Sequence, residues 1–250
     1  MFEIPRLKVK RADQFLREFA GKSEEFRKSQ PYALNLIDDG QSQHLIFEVR
    51  ALMPDDLTLV LGDAIHNLRS SLDVLVNDAF CMQTGGDQRK QQFFLRRDEQ
   101  AFDKALSGNL PGAHKDLIEV VRSFQSFRQD AVWLERLCDF DIIDKHRTTL
   151  PVVGNPVFQN IKATQLHTGG TMVQRFTPKN VSEIGSQPIL SVDKRMNFQF
   201  SPNVTESFFF SIDNDLAAAG ITVEDAFSMM KGQVLRVIAA VEGLFPASKV

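Results

Sequence analysis

Two polar segments of the chain contain residue types that could carry out chemistry. The first lies in a predicted long helix, between Leu59 and Phe80, in a stretch without Lys or Glu. Solvent-exposed helix faces are usually rich in those two residues, which favour helix and are easily solvated. Short or bifunctional polar side chains take their place here, and they include His66, Asn67, Arg69, Ser70 and Asp73. Such groups are suited to bonding with one another, with a second element or with a ligand.

The second segment closes a predicted helix over residues 129–147. Its polar residues are Asp139, Asp141, Asp144, Lys145, His146 and Arg147. Cations at the C-terminus of a helix complement its dipole, so the segment has a purely structural interpretation. It also has a chemical one, because an acidic group stands beside a histidine, the side chain that titrates closest to neutral pH.

Spacing along the first helix separates a polar stripe from an apolar one. At about 100° per residue, His66, Ser70, Asp73 and Asn77 lie within roughly 60° of one another. Arg69 flanks this stripe one turn from Asp73, which predicts an i,i+4 ion pair. The apolar stripe lies almost opposite and consists of Leu57, Leu61, Ala64, Ile65, Leu68, Leu72, Leu75 and Ala79. The polar stripe has three open interpretations: a solvated face, a buried structural network, or a ligand or catalytic site.

We predict that the helices at 54–83 and 129–147 pack together, so that their polar segments converge and His66 approaches His146. The candidate catalytic residues are then His66, Arg69, Asp73, Asp144 and His146, and the candidate ligand-binding residues are Asn67, Ser70, Lys145 and Arg147. Two histidines and an arginine would suit metal-independent phosphodiester cleavage, which needs a base, an acid and a cation for the developing negative charge. The same set would also suit a small anionic ligand.

The sequence supports other chemistries less well. Asp63 and His66 are three residues apart, as are Asp141 and Asp144, but di-metal bundles favour the longer Glu and this chain has a single D-x-x-H pair of that kind. We therefore predict no metal site and no cofactor. Ser70 lies mid-helix without a G-x-S-x-G elbow, and the sequence contains neither a Walker A loop nor G-x-G-x-x-G.

The hydrophobic periodicity of the chain predicts an α+β fold, in which a helical bundle of long helices packs with an antiparallel β-sheet. We expect a single domain over residues 1–250. Its helical part lies mainly at 11–30, 54–147 and 222–245, and its β part mainly at 31–52 and 151–213. Within these ranges we predict a hairpin at 33–50, a short strand or anchor at 93–95, and helices at 11–29, 54–83, 98–107, 114–124, 129–147 and 222–245.

Bulk composition narrows the classes of partner and location. Hydrophobic residues make up 43% and charged residues 24%, with a net charge of −3. This charge does not indicate nucleic-acid binding, although such binding stays possible, and no apolar run reaches the roughly 20 residues that a membrane span needs. Two cysteines in apolar helical contexts and an N-terminus without a secretion signal favour a cytoplasmic protein. The expected partner is an unknown small anionic ligand or a protein, and a homo-oligomer is possible.

The two motifs together resemble a family. The run Gly62-Asp63-Ala64-Ile65-His66-Asn67-Leu68-Arg69-Ser70-Ser71-Leu72-Asp73, followed downstream by Ile143-Asp144-Lys145-His146-Arg147, resembles a widespread group of uncharacterised bacterial proteins with a GD-x-x-HNLRS-x-LD helix and an IDKHR helix end. The resemblance runs nearly end to end. It implies that the two motifs belong together, and it brings no activity with it.

The helical part also distantly resembles the HEPN class of small helical ribonucleases, which use Arg and His about five or six positions apart on one helix. The spacing differs here, since Arg69 has no such His downstream and Arg136 precedes His146 by ten residues. We therefore expect a binding or interaction protein with a polar helix-pair site that is structural or holds a small anionic ligand. The alternative is a metal-independent ribonuclease or phosphodiesterase-like enzyme using the histidine pair.

Overall fold

The structure is a computed structural model, and it confirms the α+β fold class. It describes residues 2–85, 91–128, 131–146, 150–165, 169–176, 178, 181, 183–196, 198–200 and 205–246. The chain divides into two compact units. Unit 1 contains Met1–Phe19, Thr58–Leu150 and Glu224–Val250, and unit 2 contains Ala20–Leu57 and Pro151–Val223. The prediction of a single domain over 1–250 stays a prediction.

Unit 1 is helical. Its elements are the first part of α1 (Glu3–Lys28), most of α2 (Asp55–Thr84), α3 (Glu99–Asn109), α4 (Lys115–Ser123), α5 (Val132–His146) and most of α7 (Val223–Glu242). The predicted helices are present at these places, but α1 begins at Glu3, well before the predicted residue 11. The segment 91–97 is irregular rather than a strand, and its Phe93 and Phe94 are buried, as expected for an anchor.

The apolar stripe of α2 supplies much of the core of unit 1. From Leu61 to Ala79 every predicted member of the stripe is fully buried. Burial of a Leu or Ile side chain contributes on the order of 2 kcal/mol, so this stripe strongly favours one rotational setting of α2. Burial of this stripe therefore sets the rotation of α2 about its axis. The polar residues of α2 consequently lie on the face opposite the stripe.

Unit 2 contains two antiparallel sheets and α6 (Asn214–Ala218). The first sheet has the strand order β1 (Tyr32–Asp38), β2 (Ser42–Val49), β5 (Gly185–Asp193), which confirms the predicted hairpin. In the second sheet, β3 (Val153–Gln165) pairs with β4 (Thr171–Phe176), β6 (Phe198–Phe200) and β7 (Thr205–Ser211). The sequence predicts one antiparallel sheet, whereas the described residues form two, and β5 pairs with β2 of the hairpin.

Phenylalanine rings join the two sheets of unit 2. Phe47 on β2 contacts Phe158 on β3 and Phe176 on β4, with ring centroids 5.7 and 6.0 Å apart. Phe26 and Tyr32 extend the same cluster. Phe rings bury large apolar areas without needing hydrogen-bond partners, which explains why 21 of the 23 aromatic residues are Phe.

None of the helices in the described part of the chain combines the length and the apolar character needed to cross a bilayer. Cys81 and Cys138 are both free thiols.

Candidate functional site

Helices α2 and α5 contact each other through their polar motifs, as the sequence predicts. His66 on α2 bonds to Asp141 on α5, and the Asp144 carboxylate lies against α2 at Gly62. Residue numbers rise along α2 while they fall along α5, so the two helices are antiparallel. Both helix segments belong to unit 1. The two motifs, far apart in the sequence, therefore meet in one contact.

Asp141 is the centre of this contact. Its carboxylate is only 7% exposed and accepts from two cations or potential cations. One oxygen lies 2.9 Å from His66 Nδ1, and the other accepts from Lys145 Nζ at 2.7 Å. A proton on Nδ1 is the assignment that satisfies the carboxylate, and it leaves Nε2 of the half-exposed imidazole available.

Arg69 forms the second contact of the network, one helical turn further along α2. Its guanidinium is 12% exposed and donates to Asp73 Oδ1 at 2.5 Å and to the Phe93 carbonyl at 2.6 Å. Asp73 Oδ1 also accepts from the Phe93 amide at 3.0 Å. Arg69 and Asp73 together satisfy the backbone carbonyl and the backbone amide of Phe93, and these hydrogen bonds anchor the segment 91–97. Burial raises the pKa of Asp73, although Arg69 and the Phe93 amide oppose that shift.

Gly62 provides the space for Asp144. A Cβ at position 62 would clash with Asp144 Oδ1, so a side chain there would displace the carboxylate. Glycine inside a helix costs about 1 kcal/mol relative to alanine, and the close approach of Asp144 is the physical reason for it here. Burial raises the pKa of Asp144, and the carboxylates of Asp141 and Asp63 raise it further against the opposing charges of His66 and Lys145.

A cleft of about 550 Å³ lies beside this network, within unit 1. Its walls come from α2, the segment 92–97, Asn109 of α3 and α5. The cations on the walls are Arg69, Arg96, Arg97 and Lys145, and the acids are Asp73, Glu135, Asp139 and Asp141. The Cys138 thiol also lines the cleft, and burial raises its pKa, so it is not an activated nucleophile.

The predicted site residues divide into three groups. His66, Arg69, Asp73, Asp144 and Lys145 take part in the contact described above. The Asn67 side chain donates to the Asp63 carbonyl of its own helix, and the Ser70 hydroxyl makes no hydrogen bond within the described part of the chain; neither residue lines the cleft. Arg147 and the His146 side chain lie outside the described residues, as does the predicted approach of His66 and His146.

Several important residues are absent from the predicted set. Asp141 belongs to the second polar segment but not to the predicted site residues, and it is the centre of the network. Its position three residues before Asp144 on the same helix is the sequence signal for it. Gly62, which leaves room for Asp144, is also absent from the predicted set, and a glycine in mid-helix is its signal. Arg96 and Arg97 carry no sequence signal beyond their charge.

Within the described part of the chain, no group of three or more His, Cys, Asp or Glu side chains is arranged to hold a metal ion. Comparison with known proteins gives no match: no family model, no curated protein and no solved structure is significantly similar to this chain. The geometry of the helix pair therefore carries the functional argument.

The Arg69–Asp73 pair should be essential for stability. We expect Asp73→Ala to lower the free energy of unfolding by about 3 kcal/mol, because it leaves the Arg69 guanidinium nearly buried without its carboxylate. In a chain of this size, that corresponds to a melting temperature lower by about 6–12 °C. Asp139→Ala, which changes an exposed carboxylate on α5, is the control and should stay within about 1–2 °C of wild type. Equal melting temperatures for the two variants would contradict the network.

Asp144 should destabilise the fold when it is ionised. Its pKa is raised in the folded protein, so its favourable contribution is present below the ordinary carboxyl pKa and is lost as pH rises through the folded-state value. Asp144→Asn should therefore raise the melting temperature at pH 7 by about 1–2 °C and have little effect near pH 3.5. Asp139→Asn is the matched control. A stabilisation by Asp144→Asn that is the same at both pH values would contradict the assigned cause.

Proposed function

We propose that this chain is a binding protein whose cleft beside the α2–α5 contact takes a small molecule that carries an anionic group. The observation that carries the proposal is the cleft itself, about 550 Å³ in volume and bounded by the charged network. Pockets for small molecules typically measure about 300–1,000 Å³, so the size suits a ligand rather than a protein side chain.

Two arginines on the wall of the cleft form no ion pair with the residues that the structure describes. Arg69 is paired with Asp73, and Lys145 with Asp141. Glu135 accepts a hydrogen bond from the Ser126 hydroxyl. What remains is two exposed arginines, Arg96 and Arg97, and two acids, the exposed Asp139 and the half-buried Glu135. The formal charges of the cleft therefore balance, and the case for an anion rests on the two exposed guanidinium groups.

The two arginines are suited to a carboxylate or a phosphate. Among the residues that the structure describes, neither Arg96 nor Arg97 has a carboxylate partner. A guanidinium presents parallel N–H donors that match the two oxygens of such groups. The Arg96 amide bonds to the buried Gln125 side chain, so the backbone that carries the two arginines is held in place before a ligand arrives. This arrangement supports binding by a preformed wall.

The network has a structural part in the same proposal. It fixes the register of α2 and α5 and anchors the segment 91–97. The two helices and this segment form walls of the cleft. A bacterial origin and a cytoplasmic location belong to this proposal as well. The resemblance of the two motifs to a bacterial group supports the first, and two free thiols are consistent with a reducing compartment.

The arginine pair gives a direct test of binding. We expect sulfate, titrated into labelled protein, to shift the amide NMR signals of residues 92–97 and of α5. The variant Arg96→Ala/Arg97→Ala should weaken sulfate binding at least about tenfold, because each charge-assisted hydrogen bond contributes about 1.5–3 kcal/mol. The control removes two exposed cations outside the cleft, Arg17→Ala/Lys104→Ala. Equal sulfate binding by both double variants, or no shift of cleft amides, would contradict the proposal.

A second candidate function is favoured by the His66–Asp141 contact. A buried carboxylate on Nδ1 orients the imidazole and leaves Nε2 as a base at the surface, and the nearby Asp144 has a raised pKa that suits a proton donor. These features support a metal-independent ribonuclease or phosphodiesterase.

This enzymatic candidate predicts RNA hydrolysis in the presence of EDTA. His66→Ala should reduce the rate by about 10²–10⁴-fold while the protein stays folded. His114→Ala, an exposed histidine at the start of α4, is the matched control and should leave the rate unchanged. If His66→Ala instead lowers the melting temperature by several degrees and wild type does not cleave RNA, His66 is a structural member of the network.

A further inference from the structure

We infer that binding of an anion in the cleft is coupled to the uptake of a proton by His66, with Asp141 as the link between them. The inference rests on the proposed function, because it concerns the regulation of the same cleft. It can be tested separately from binding, because it predicts a change in the protonation of His66, which does not line the cleft.

The link is a carboxylate shared by two groups. Asp141 bonds to His66 through Oδ1 and to Lys145 through Oδ2, at 2.9 and 2.7 Å. Because Asp141 is nearly buried, water provides little compensation for either partner. The carboxylate is therefore best stabilised when both partners are charged, and the removal of one increases its need for the other.

Lys145 is the partner that a ligand can reach. It lines the cleft, its side chain is 40% exposed, and a lysine ammonium is a point charge on a flexible stem. An anion held by Arg96 and Arg97 competes with Asp141 for that ammonium. When the ammonium turns toward the anion, Asp141 loses part of its countercharge, and the imidazolium form of His66 replaces it.

Other charged groups lie near His66 and Asp141 and contribute to the electrostatic potential at both residues. Asp144 on α5 interacts electrostatically with His66, and also with Asp63 on α2. Around Asp141 the further groups are Arg69 and the Cys138 thiol. Arg69 is held by Asp73 and the Phe93 carbonyl, so Lys145 is the cation of this group with the freedom to move.

Linkage makes the effect reciprocal. If an anion raises the proton affinity of His66, protonation of His66 raises the affinity for the anion by the same factor. Coupling factors between linked sites are typically about 5–150-fold, so the midpoint of His66 protonation should rise by at least about 0.7 pH when the cleft is saturated. Anion binding should accordingly tighten as the pH is lowered through that midpoint.

The experiment follows the His66 ring by NMR. Ring nitrogen signals of wild type are recorded over about pH 5–8, with and without saturating sulfate, an anion that does not itself titrate in this range. His66→Gln assigns the signal, and the exposed His114 is the internal control. We expect sulfate to raise the His66 midpoint by at least about 0.7 pH and to leave that of His114 unchanged.

Lys145→Met tests the link without a ligand. This variant should show a raised His66 midpoint before any sulfate is added, and sulfate should then raise it little further. Lys104→Met, at an exposed position outside the cleft, should behave as wild type. If Lys145→Met does not fold, the wild-type titration decides alone.

The outcomes separate the two proposals. Sulfate that shifts the cleft amides but leaves the His66 midpoint unmoved would overturn the coupling and retain the binding function. Sulfate that shifts no cleft amide would overturn both.

Discussion

Charged groups that leave water must be paired, and this constraint underlies the structure of the helix pair. The Asp141 carboxylate and the Arg69 guanidinium are both nearly buried, and an unpaired buried charge costs several kcal/mol. The His66–Asp141 contact joins α2 to α5 in one antiparallel register. The Arg69–Asp73 pair, both of whose residues lie on α2, satisfies the backbone groups of Phe93 and thereby places the segment that forms a wall of the cleft.

The residue types of the first motif follow from that register. Gly62, His66, Arg69 and Asp73 recur at helical spacing along one face of α2, and each meets a specific group. Gly62 leaves room for a carboxylate, while the other three supply donors and acceptors of short reach or planar shape.

The two functional candidates use opposite sides of the same carboxylate. The proposed anion binding would use the Lys145 side of Asp141, where Lys145 lines the cleft, and the proposed acid–base chemistry would use the His66 side. A buried carboxylate shared in this way transmits a change in one partner to the other, because solvent screens their interaction weakly. Structural, binding and catalytic roles are therefore physically compatible at this site.

What the sequence by itself determined is the set of features that depend on near neighbours. Helical periodicity identified the buried stripe of α2, alternation and a turn identified the β1–β2 hairpin, and a four-residue spacing identified the Arg69–Asp73 pair. Only the tertiary structure decided the rest. The partners of Asp141, the contact of Asp144 with Gly62 and the pairing of β5 with β2 join residues far apart in the chain; His66 and Asp141, for example, are 75 positions apart. Which distant groups meet depends on how every intervening element packs, and no local pattern in the sequence carries that information.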